Sequence, residues 1–246
     1  MTTKAVGLAP ELFTRIRDSM DAHQDCRERI NKLSRDITQQ SKKLIFHLLR
    51  VSPTNRAAIF QEAERKHADI LRAVAQIAPE LQGSNRWRYG STFTGGLQEY
   101  IEALALWVFL AEQRLITLAE VESRLNEFSK AQIVHIPVGP IDYVLGVSDV
   151  AGELMRYAIN SLACGNADEA NAVGVFFQQL YSAFVEFNPR LHPQMTKKVQ
   201  VMRDSLLKVE NACYQSQLQV SEFPASRRPP VLDLDQPSAE ARSDEF

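Results

Sequence analysis

Apolar and small residues recur at helical spacing from Leu12 through Ile16, Met20, His23, Cys26, Ile30, Leu33, Ile37, Leu44 and Leu48, against a face rich in Arg, Lys, Asp and Gln. A stripe returning every three or four residues lets a helix bury one side. The pattern therefore predicts one long amphipathic helix, closed by Ser52-Pro53. A second helix is expected from about Arg56 to Ala78, with Phe60, Ala63, His67, Leu71, Val74 and Ile77 inward, before Pro79 and Gly83-Ser84 interrupt it. A third is expected over Phe93–Arg114, with Gly95-Gly96 near its start. A short fourth covers Leu118–Phe128, where Thr117 and Glu120 have capping-box spacing. Pro137, Gly139 and Pro140 punctuate the next connection. The fifth helix is then Ile141–Ala163, stopped by Gly165, the sixth Asp168–Phe187 and the seventh Pro193–Leu218. No segment alternates like a strand and no internal repeat is found. The chain reads as all-α: a flexible N-terminus over residues 1–9, a helical domain over 10–220, and a disordered acidic, Pro-rich tail over 221–246.

Composition adds limits to this picture. A hydrophobic share of 45% with only 10 Gly and 11 Pro suits a helix-rich chain with a sizeable core. A net charge of −2 gives no overall positive field, although a local basic patch suffices for nucleic-acid binding. Cys26, Cys164 and Cys213 are far apart, no C-x-x-C occurs, and the histidines are scattered, which argues against zinc and disulfide frameworks. The first residues lack the apolar run of a secretory signal, and the longest apolar stretch, Ile101–Ala111, is too short to span a bilayer and contains Glu102. The expectation is a cytoplasmic protein without a membrane partner, with the nucleus as second compartment.

Four acids interrupt otherwise apolar helices. Glu99 and Glu102 lie within LQEYIEALALWVFLA, and Asp149 and Glu153 within IDYVLGVSDVAGELMRYAINSLAC. Spacings of three and four residues put each pair on one helix face. Carboxylates are rarely buried without a compensating charge. Either protein cations neutralise them or they hold a metal ion. Hard oxygen donors from two helices suit Mg²⁺, with Mn²⁺ as the alternative. The structural alternative pairs Glu153 with Arg156, sets Asp142 at a helix N-terminus, and places Glu99 and Glu102 against basic residues of a partner subunit. A ferritin-like di-iron centre fails, because neither Glu99 nor Glu153 is followed three places on by His.

Just before the third helix, Asn85-Arg86-Trp87-Arg88-Tyr89 mixes cations with aromatic rings, the combination that holds single strands by phosphate contact and base stacking. The alternative packs Trp87 and Tyr89 into the core. Arg156 could neutralise the acids or touch a phosphate. Lys42-Lys43, Arg65-Lys66 and Lys197-Lys198 read as solvated faces, and His135 as a structural histidine.

At these same residues the chain resembles the translin family. The matching strings are LSRDITQQSKKLIF (33–46), GLQEYIEAL (96–104), PIDYVLGVSDVAGELMRYAINS (140–161) and SLLKVENACY (205–214). The resemblance implies a seven-helix translin-like bundle and assembly with translin into a closed hetero-oligomeric shell. It further implies a Mg²⁺-dependent endoribonuclease acting on single-stranded RNA, with single-stranded DNA as a second ligand. Cleaved passenger strands in RNA silencing and precursor-tRNA fragments are the implied substrates. The family's Glu-Tyr-x-Glu and Gly-Val-x-Asp-x-x-Gly-Glu-Leu strings land on Glu99, Glu102, Asp149 and Glu153 as metal ligands, with Glu99, Glu102 and Asp149 in the catalytic role. Arg86, Trp87, Arg88 and Arg156 are the expected RNA contacts. The competing expectations are a non-catalytic scaffold that stabilises translin and binds nucleic acid or repair proteins, and a stand-alone helical adaptor.

Overall fold

The computed structural model describes residues 10–128, 134–188 and 192–222. Among them are seven α-helices, one short 3-10 turn over Ala78–Leu81, and no strand. The helices are α1 (Pro10–Leu48), α2 (Arg56–Ile77), α3 (Ser84–Glu112), α4 (Leu118–Leu125), α5 (Pro140–Ala163), α6 (Ala167–Val185) and α7 (Met195–Glu222). The expected N-terminal segment lies outside the described residues, as does the expected tail beyond α7.

The long first helix is present, but its stripe is buried only from Cys26 onward, through Ile30, Ser34, Ile37, Ser41, Leu44 and Leu48. Leu12, Phe13, Ile16 and Met20 continue the stripe and remain exposed. On α2 the buried line is Ile59, Ala63, His67, Ile70, Val74 and Ile77, so the expected Phe60 and Leu71 lie at its half-buried edge.

The largest departure is the start of α3, at Ser84 and not Phe93. Gly83 adopts φ +58, a left-handed turn that glycine reaches without strain, and the helix begins directly after it. Gly95-Gly96 do not break the helix. Gly96 serves the packing: a Cβ there would sit 2.8 Å from the Ser34 carbonyl oxygen of α1. At the other end Gln113 takes the left-handed conformation and its N–H closes on the Phe109 carbonyl at 2.8 Å. The expected capping box opens α4. Thr117 Oγ1 accepts from Glu120 N–H at 3.2 Å, and Glu120 Oε2 accepts from Thr117 N–H at 2.8 Å. Arg114 donates twice to Glu120, at 2.9 and 2.7 Å, and this pairing with the cap holds the Glu120 carboxyl at about 2.

The chain divides into two compact units, residues 1–150 and 151–246. In the first, α1 packs chiefly on α3 and then on α2. Its centre is α3, where Tyr100, Ile101, Leu104, Leu106 and Phe109 are buried completely or nearly so. His67 meets the Tyr100 hydroxyl at 2.7 Å and stacks on that ring at 5.7 Å, with Trp107 edge-on. Burial holds the His67 imidazole neutral, with a pKa near 4. In the second unit α6 packs on α7, Gln178 donates to Glu210 at 2.7 Å, and Tyr157 of α5 hydrogen-bonds Glu169 of α6. No helix among the described residues is long and apolar enough to cross a membrane.

Candidate functional site

From Tyr100 to Leu110 every residue of α3 except Glu102 is buried. Glu102 is half-buried, and so is Glu99 three residues earlier, on the side where α3 opens to water. The Glu99 side chain is 19% exposed, and its Oε2 lies 3.7 Å from Lys42 Nζ of α1. Lys42, expected on a solvated face, is thus the cation facing the first acid.

α5 reaches this region through Gly146. A Cβ at that position would fall 2.7 Å from Ile101 Cβ and 2.8 Å from the Gln98 carbonyl oxygen. Only hydrogen allows the two helices to approach this closely. One turn before the contact, Gln98 Nε2 donates to Asp142 Oδ1 at 3.1 Å. One turn after it, Asp149 shares the Gly146 face of α5 and is exposed, between buried Ser148 and Val150. Glu99, Glu102 and Asp149 therefore all lie within a turn of the α3–α5 contact. Sequence reasoning missed Gly146, although a glycine inside an apolar helical run is a signal of close backbone approach.

Glu153 belongs to the second unit. Its side chain is 15% exposed and its Oε2 accepts from Arg156 Nη1 at 2.9 Å, the pairing named in the structural alternative. Burial raises the Glu153 carboxyl above the ordinary carboxylate range, with Arg156 pulling the other way. Among the described residues no three His, Cys, Asp or Glu side chains are gathered closely enough to hold a metal ion. The donor set nonetheless has the chemistry of a hard-cation site, since all four groups are carboxylates. The cations beside Glu99 and Glu153 are about half exposed, at 56% for Lys42 and 49% for Arg156. Exposed ion pairs of this kind are weak.

The Arg86–Tyr89 segment lies in the first turns of α3, not in a connecting loop. Residues two apart on a helix point in nearly opposite directions. Tyr89 is buried and hydrogen-bonds His23 of α1, whereas Trp87 is 86% exposed. The core reading holds for Tyr89 and fails for Trp87. The Arg86 guanidinium lies 5.6 Å from the Trp87 ring centroid, and Arg88 contacts the His23 ring at 3.0 Å. His135 pairs with Glu122 at 3.2 Å, in keeping with a structural role.

Comparison with known proteins gives this arrangement its context. The translin family model matches residues 25–220. The chain is 35% identical to translin-associated protein X of Mus musculus over 86% of its own length and 79% of that protein. The chain belongs to the translin family. It is also 30% identical to the translin-associated protein X homolog of Schizosaccharomyces pombe, over 83% of this chain and 86% of that one. Identity to Homo sapiens translin is lower, 24% over 83% of this chain and 90% of the other. The crystal structure of apo-NeC3PO superposes with a TM-score of 0.68 at 20% identity, covering 85% of this chain and 99% of that chain. An AfC3PO–duplex RNA complex superposes with a TM-score of 0.66 at 19% identity, covering 86% and 99%. The family's seven-helix, all-α fold is therefore shared, as the sequence pattern predicts.

Proposed function

We propose that this translin-family chain is the catalytic subunit of a translin-containing, Mg²⁺-dependent endoribonuclease that cleaves single-stranded RNA. Passenger-strand fragments in RNA silencing and precursor-tRNA fragments are the proposed substrates. The observation that carries the reading is the opening of an otherwise buried helix at Glu99 and Glu102, beside the Gly146 contact that brings the Asp149 turn of α5. Kinship with translin-associated protein X supports it, and so does the fold shared with a C3PO protein solved on duplex RNA.

Glu99, Glu102 and Asp149 would hold the ion, with Glu153 following one turn further along α5. The chemistry such an ion would supply is polarisation of the scissile phosphate and a lowered pKa for an attacking water. The carboxylates would orient that water. Arg86, Arg88 and Arg156 take backbone phosphates, and Trp87 offers a stacking face.

The test is co-assembly with translin, followed by cleavage of a labelled short single strand in Mg²⁺ and in chelator. Cleavage is expected to require the metal and to be lost in Glu102→Ala and Asp149→Ala complexes that still assemble. An assembled Glu102→Ala complex cutting at the wild-type rate removes the reading. The second reading, a non-catalytic scaffold that stabilises translin and binds nucleic acid or repair proteins, is favoured by the Lys42–Glu99 and Arg156–Glu153 pairs. It predicts that neither chelator nor Glu102→Ala changes cleavage by the complex.

A further inference from the structure

Between the first turns of α3 and the segment leading into α5 lies a cavity of about 350 Å³, wholly within the first unit. That is the small end of the range, about 300 to 1,000 Å³, for pockets that hold small molecules. Leu81, Phe93, Leu97 and Ile136 line it and are buried. Its rim carries Trp87 with Arg86 beside the ring, and Asp142 supplies a carboxylate. We propose that this cavity is a nucleobase pocket selecting guanine through Asp142, an inference that rests on the nucleic-acid reading above.

Three features point to a base. Apolar walls suit a flat ring. An indole left 86% exposed beside a cavity, with a guanidinium near its face, is a ready stacking surface for an unstacked nucleotide. A carboxylate accepts hydrogen bonds and donates none, so it selects among bases by their donors.

Asp142 Oδ1 already takes one hydrogen bond from Gln98, and Oδ2 takes no other among the described residues. One lone pair on Oδ1 and both on Oδ2 remain for a ligand. Guanine presents two adjacent donors on its Watson–Crick edge, N1–H and the N2 amine, which match two carboxylate oxygens. Adenine and cytosine set a single amine beside a ring-nitrogen acceptor, which would face the second oxygen with like partial charge. Uracil sets one N–H between two carbonyls. The matched pair is guanine.

The experiment uses the full chain co-assembled with translin and fluorescence polarisation. Labelled octauridylate is compared with octamers carrying one central guanosine, inosine or adenosine. Guanosine is expected to tighten binding about tenfold over uridine and adenosine, the order of one good bidentate base contact. Inosine, which lacks the N2 amine, recovers only part of that gain. Asp142→Asn keeps an acceptor for Gln98 but turns a donor toward guanine. It is expected to abolish the guanosine gain, so that the guanosine octamer binds the variant within about twofold of octauridylate, while helical circular dichroism shows the fold intact. Equal affinity for all four oligomers, or a guanosine gain that survives Asp142→Asn, overturns the pocket and leaves the nuclease reading standing. Failure of every oligomer to bind the assembled complex overturns both.

Discussion

Replacing Gly146 by alanine adds one methyl group where α5 crosses α3. That carbon would lie 2.7 Å from Ile101 Cβ and 2.8 Å from both Ile101 Cγ2 and the Gln98 carbonyl oxygen, against 3.4–4 Å for ordinary contact. A backbone oxygen and a Cβ cannot rotate aside, so the helices must separate. Overpacking costs about 1–3 kcal/mol, and contacts under 3 Å with atoms that cannot rotate away put this one in the upper part, about 2–3 kcal/mol. Alanine's higher helix propensity returns up to about 1 kcal/mol, leaving a net loss of roughly 1–2 kcal/mol. The same helix contains its own control. A Cβ at Gly152 meets nothing within 4 Å, so Gly152→Ala should gain up to about 1 kcal/mol. Urea unfolding followed by helical circular dichroism at fixed protein concentration reads both. With a slope near 3 kcal/mol/M, the Gly146→Ala midpoint falls by roughly 0.5 M while that of Gly152→Ala rises. Gly146→Ala should also slow RNA cleavage by the complex, because it shifts Asp149 relative to Glu102 without touching either. Midpoints that move in the same direction for both variants, or a Gly146→Ala protein as stable as wild type, would refute the close-approach argument.

Other outcomes follow from single residues. His67 has a folded pKa of about 4 against 6.5 ordinarily, so between those values the unfolded chain binds the extra proton. Its contribution is complete above about pH 6.5 and is lost as pH falls toward 4, by up to about 3 kcal/mol; His67→Gln should flatten stability-versus-pH curves in that window. Thr117→Ala removes the acceptor for Glu120 N–H and should lower stability by about 1 kcal/mol in the same unfolding assay. Trp87→Ala, at a side chain 86% exposed, should change stability by less than about 0.5 kcal/mol. It should still weaken single-strand binding by about 1–3 kcal/mol, measured by polarisation.

Much of this architecture was legible from periodicity and from glycine and proline. The α4 cap could be read from Thr117 and Glu120 alone, because a capping box is a local interaction. The start of α3 was not legible. Gly95-Gly96 resemble a break until Ser34 is known to press against Gly96, and that contact spans distant parts of the chain. Trp87 and Tyr89 could be told apart only once a helix was known to run through both, since the helical turn then sends them to opposite sides. At the candidate site the acids were visible as polar interruptions of apolar runs. Lys42 was not, because its pairing with Glu99 is a tertiary fact on an unremarkable basic stretch.

α1 is one helix with two stabilities. From Cys26 onward it is anchored by a buried residue every turn, whereas from Pro10 to Asp25 it buries none. Its side chains first bond α3 at His23, and a helical stretch with so little packing is marginal in water. Its backbone amides should therefore exchange with deuterium in a gradient, fast at Leu12 and slow by Ile30, as the helix unravels and re-forms from its anchored end. The gradient gives a measure of what covers Leu12, Phe13, Ile16 and Met20 under any given condition, and it needs neither substrate nor enzymatic turnover.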